Sequence, residues 1–142
     1  MSYLDTKQAL ITKLIATSIT GITSADIAFE NNDFDPTGKS KYIAAYFIPA
    51  TSDSMGKTIN SGDDHRGIFQ VTVFIKLNNG NYDNDQLQII DDILAGFIYN
   101  DKAVYNGKTV HIKDSNVNSG SENESWFKRD ISINYLTFTS RI

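Results

Sequence analysis

The sequence predicts an α+β domain: a mainly antiparallel, mixed β-sheet with two α-helices packed against it and a long β-hairpin arm. Three observations carry that expectation. Two segments repeat their apolar residues at helical spacing, while the stretches between and after them alternate apolar and polar residues at the period of a strand. The order is helix, β-rich middle, helix, hairpin and final strand, not the regular alternation of a parallel α/β chain. Long polar stretches rich in Ser, Asn, Asp and Gly separate some of the strands.

The first helix is expected from Tyr3 to Ile19, with Leu4, Leu10, Ile11, Leu14, Ile15 and Ile19 on one stripe. Ser2 and Asp5 form a capping-box pattern and Gly21 a stop. A short strand from Ile27 to Glu30 leads into a loop crowded with Asn, Asp, Pro and Gly. "KYIAAYFIPA" follows, apolar on both alternating faces, and Pro49 is expected to close it because proline cannot donate to a central ladder. Thr51 to Arg66 reads as the longest polar interruption, a binding element or arm.

In "GIFQVTVFIKL", Phe69, Val71, Val73 and Ile75 share one face, while Gln70, Thr72, Phe74 and Lys76 share the other. The second helix is expected from Asn84 to Tyr99, burying Leu87, Ile90, Leu94, Phe97 and Ile98, with Gln88, Asp91 and Asp92 toward water. "AVYNGKTVHIK" is a hairpin with Asn106-Gly107 as a type I′ turn. A second polar loop, Asp114 to Ser125, precedes a last strand from Trp126 to Thr139, where Ile131, Ile133 and Tyr135 alternate with Asp130, Ser132 and Asn134.

At 142 residues the chain suits a single domain, 1–142. Its 13 basic and 17 acidic residues give a net charge of −4, which argues against a dedicated nucleic-acid surface. Cysteine is absent, so disulfides, thiolate metal sites and cysteine nucleophiles are excluded. The first apolar stretch, "ALITKLIATSI", is interrupted by Lys13 and does not read as a secretory signal. The longest apolar run, Tyr42 to Ala50, is far short of a membrane span. The expectation is a protein made and folded in a cytoplasm, away from membranes.

The most chemically suggestive stretch is "NSGDDHRG", Asn60 to Gly67. Asp63, Asp64 and His65 are adjacent, so their side chains diverge, and the spacing matches no zinc or calcium motif. A metal-dependent hydrolase using Asp63, Asp64 and His65, with His111 as the second imidazole, is the minor reading. A solvated charged loop end is favoured. There is no Gly-x-Ser-x-Gly elbow and no phosphate-cradling glycine loop. Asp91 and Asp92, neighbours in a helix, point about 100° apart and cannot flank one bond. No cofactor is implied, and a protein that works by contacts is expected rather than an enzyme.

Glu30, Asn31, Phe34 and Pro36 form a turn before a strand, and Gly67, Gln70, Val71 and Val73 form a strand after a long loop. In that order and spacing the chain resembles the tail terminator family of long-tailed bacteriophages. It departs from the family in the opening of the second helix, "NYDNDQLQII", where glycine and small residues are common. The resemblance implies a homohexameric ring that caps the tail tube, ends its polymerisation and offers an interface to the head–tail connector protein. Implied partners are further copies of the chain, the tail tube protein and the connector, with DNA passing through the ring without sequence-specific binding. The implied place is the tail–neck region of a virion assembled in the bacterial host cytoplasm. Another neck or head–tail joining protein of the same fold is the alternative. Candidate contact residues are Asp53, Met55, Lys57, Ile59, Asp63, Asp64, His65 and Arg66 on the arm, with Glu30 and Asn31 at the turn.

Overall fold

Phe69, Val71, Val73 and Ile75 lie within a fifteen-residue strand, Gly62–Lys76 (β3), all at most 1% exposed, because this strand is paired on both sides and their face of it is turned to the hydrophobic core. The computed structural model describes residues 2–59, 61–78, 80 and 82–140. Before β3 come a helix, Ser2–Ala16 (α1), and two strands, Ile27–Phe29 (β1) and Lys41–Ser54 (β2). After it come a second helix, Asn84–Gly96 (α2), and strands Lys102–Tyr105 (β4), Lys108–Val117 (β5), Ser121–Asn123 (β6) and Trp126–Ser140 (β7). They form a seven-stranded sheet in the order β1-β2-β3-β7-β5-β4, with β6 beside β7. Only β1–β2 is parallel; the other pairs are antiparallel, as the sequence led us to expect.

Both helices cover the face that carries Phe69, Val71, Ile131 and Ile133: α1 lies on β4 and β5, and α2 on β3. Phe69 and Phe97 meet at its centre, ring centroids 5.8 Å apart. The buried side of α1 is Thr6, Ala9, Leu10 and Leu14, whereas Leu4 is 62% and Ile15 49% exposed. Small Ala9 and Thr6 let the helix approach the hairpin closely, so the stripe turns away from the expected one. In α2 the buried set is Gln86, Ile89, Ile90 and Ile93, continued by Phe97; Leu87 and Ile98 face outward. Burying Gln86 requires hydrogen bonds. Its Nε2 donates to the carbonyls of Val73 (2.9 Å) and Phe127 (3.2 Å), and its Oε1 accepts from Arg129 Nε at 3.1 Å. A polar residue in the stripe shifted its phase beyond what apolar counting could find.

Pro49 does not close its strand. Phe47 points its N–H away from β3, to Glu30 Oε1 at 2.6 Å, so Pro49, two residues on, also has its nitrogen on the outer edge. No ladder bond is lost there, and β2 continues, through a bulge between Pro49 and Thr51, to Ser54. The polar stretch Thr51–Arg66 is therefore mostly paired strand. Likewise β5 runs past its own irregularity, between Ile112 and Ser115, into the second expected loop. Asn106 and Gly107 both have positive φ, 50° and 79°, as a type I′ turn demands.

Candidate functional site

The arm is three-stranded at its base. β2 pairs with β3 from Thr51↔Arg66 to Ser54↔Asp63, and β7 follows β3 on its other side from Leu136↔Arg66 to Ser140↔Gly62. Only the turn between Ser54 and Gly62 projects beyond this ribbon, and it carries two exposed apolar side chains, Met55 (51%) and Ile59 (71%), with Lys57 exposed between them. Exposed aliphatic side chains on a rigid support are suited to contact with another protein surface.

Strand alternation separates the remaining arm residues. Asp64 and Arg66 face the sheet surface that no helix covers, where Arg66 Nη2 lies 3.6 Å from Asp64 Oδ2. Asp53 stands directly opposite Asp64, a like-charge cross-strand pair. His65 points to the helix-covered face, 9% exposed, with Tyr3 edge-on at 5.2 Å. Buried Asp64 Oδ1 and His65 Nδ1 have no hydrogen-bond partner.

The same register bears on the imidazole pair. His65 aligns with Thr137 and Val110 on the helix-covered face; His111 aligns with Leu136 and Arg66 on the open one, near Phe138 at 6.0 Å. The sheet stands between the two histidines, so they cannot share a metal ion. Among the described residues, no group of three or more His, Asp or Glu is placed to hold one. Nor is any described helix long and apolar enough to cross a membrane.

Glu30 and Asn31 act within the chain. Glu30 accepts the Phe47 amide where β1 has ended, and Asn31 takes φ 56°, turning the chain so that Phe34 packs on Tyr42 at 4.9 Å. Tyr42 stacks on Phe74 at 4.5 Å and meets Trp126 edge-on, closing one end of the open face. Gly67 leaves room for Tyr135: a methyl group there would lie 2.5 Å from the Ile48 carbonyl oxygen and 2.6 Å from the Tyr135 hydroxyl. Burial pushes the Tyr135 phenol up to about 12. The turn residues thus brace the middle and the far end of the sheet, and Gly67 admits Tyr135 near the root of the arm.

At the opposite end of β3 from the arm lies a largely apolar concavity of about 540 Å³. Ile75, Leu77 and Phe127 form its apolar wall; Lys76, Tyr82 and Asp83 stand around it. Sequence reasoning missed it, because its walls come from a strand end, the turn before α2 and the start of β7, which no local pattern connects.

No curated protein matches the chain. A solved structure aligns with 96% of this chain and 96% of its own, at 21% identity and a TM-score of 0.72, a likeness in fold. A family model described as "Phage tail terminator protein" matches residues 6–135. That span takes in most of α1, all of α2, β2 and β3 with the turn between them, and β7 as far as Tyr135. The chain therefore belongs to the phage tail terminator family, and with it to the structural proteins that complete the tail of a virion.

Proposed function

We propose that copies of this chain close into a homohexameric ring that caps the tail tube, stops its polymerisation and presents its other surface to the head–tail connector protein. The observation that carries this reading is the arm: a three-stranded base holding Met55 and Ile59 out to solvent. A cyclic ring joins one patch to a different patch on the next copy, and such an arm supplies one of the two. Asp53, Asp63, Asp64 and Arg66 at its root give charge complementarity to the partner rather than catalysis. His65 holds the root itself, beneath Tyr3. The net charge of −4 suits a channel along which DNA slides without sequence-specific binding, since phosphate attraction would retard it. Assembly takes place in the bacterial host cytoplasm, at the neck of the growing particle.

The test is native mass across a concentration series, with negative-stain images and a tube-capping assay. Closed hexamers that stop tube growth are expected. Replacing Met55–Ile59 by a short glycine-containing turn should abolish capping while leaving the thermal midpoint within a few degrees, because the paired base remains. If the shortened form still caps tubes normally, the arm is not the contact.

A further inference from the structure

We infer that the arm tip of one copy, Met55 and Ile59, seats in the concavity at the far end of β3 in the next copy, against Ile75, Leu77 and Phe127. This rests on the ring reading above and assigns the two surfaces that meet. The two features lie at opposite ends of one strand, roughly 45 Å apart at ~3.3 Å per residue. Tip and concavity are therefore different patches facing away from each other, the arrangement that gives a heterologous, head-to-tail contact.

Shape and charge point to a second copy of this chain as the occupant. The concavity, about 540 Å³, is lined mainly by apolar atoms and has room for two aliphatic side chains. The tip offers two, at 51% and 71% exposure, carried on a base paired on both sides of β3. Lys57 lies between them, and Asp83, paired with Arg129 at 3.2 Å but with its side chain still 38% exposed, stands at the cavity rim. The like-charge pair Asp53 and Asp64 flanks the arm, and exposed Lys76 flanks the cavity. The acidic flank of the arm and the Lys76 ammonium beside the cavity are thus opposite in sign. The outer edge of β2 is a poorer docking place: Glu30 occupies the Phe47 amide and Pro49 has none to give. A peg of this size buries too little to hold a ring alone, so it sets register within a wider interface.

Because the chain lacks cysteine, engineered pairs report without background. Ile59→Cys and Tyr82→Cys are made singly and together, and treated with a short bismaleimide across a concentration series, with native mass taken on the same samples. Mixed single variants should give dimers, the double variant a ladder ending at the ring size, and neither single variant a product alone. Rings that give no Ile59–Tyr82 product, or tip-to-tip product from I59C alone, would overturn the peg and leave the ring reading intact. A ladder without closed rings would keep the peg and overturn the ring, and monomers at every concentration would overturn both. Ile59→Asp should weaken association by roughly ten- to a hundredfold, the worth of one buried aliphatic side chain, with Ile59→Leu close to wild type. Unchanged association of I59D would also sink the peg; its melt is expected to be unaltered because Ile59 is exposed.

Discussion

At Glu30 the carboxylate accepts the Phe47 amide at 2.6 Å, just beyond the last pair of β1 with β2, so it terminates an open strand edge. Glu30→Ala should lower stability by about 1 kcal/mol, the usual net worth of one hydrogen bond, while Glu30→Gln keeps the acceptor and most of that stability. Thermal melts of the two variants decide it. Tyr135, buried beside Gly67 and stacked on Phe47 at 5.6 Å, has its phenol raised to about 12. A raised phenol means that the folded state favours the neutral form. Stability from this group is therefore complete below the ordinary value of 10.0 and is lost as pH rises toward 12. An ultraviolet titration should show at least one of the seven tyrosines ionising late, together with alkaline unfolding. Tyr135→Phe should remove the late component.

At the scale of elements, periodicity revealed what alternation could carry. The faces of β3 and β7 were legible because Val71, Val73, Ile131 and Ile133, all 0% exposed, alternate with the polar Gln70, Thr72, Asp130 and Ser132. The phase of α2 was illegible because Gln86, fully buried, takes a place where an apolar residue was sought. Gln86→Leu fills the space but leaves the Val73 carbonyl and the Arg129 guanidinium short of a partner; a loss of about 1–3 kcal/mol is expected in denaturant melts. The continuation of β2 through Pro49 was hidden as well. Whether a proline breaks a strand depends on which edge its nitrogen faces, and that is decided by where β1 ends. Of the candidate site, the arm was visible as a polar stretch with Met55 and Ile59 in it. The cavity was not, since its walls meet only after β3 and β7 pair.

At the scale of the molecule, three carboxylates tie connecting segments to one another or to the helices. The Lys39 ammonium beside Asp26, the Thr20 amide beside Asp92 and the Lys13 ammonium beside Asp101 each hold the acid below its ordinary 3.8. Depressed values mean that this stabilisation is present above about pH 4 and is lost as pH falls below it. The thermal midpoint should therefore decline below that point, and less steeply in Asp92→Asn. The central strand has one further consequence, for time rather than for energy. β3 finds one neighbour across a turn, but the other, β7, arrives only after α2, β4, β5 and β6 have been made. Closing so large a loop before its contacts form is slow, so refolding should take roughly milliseconds to seconds, with the row Phe69, Val71, Val73 and Ile75 unshielded meanwhile. A newly made copy is thus most prone to stick to the wrong partner before its last strand docks, and stopped-flow refolding at rising protein concentration would display that interval as a growing loss of yield.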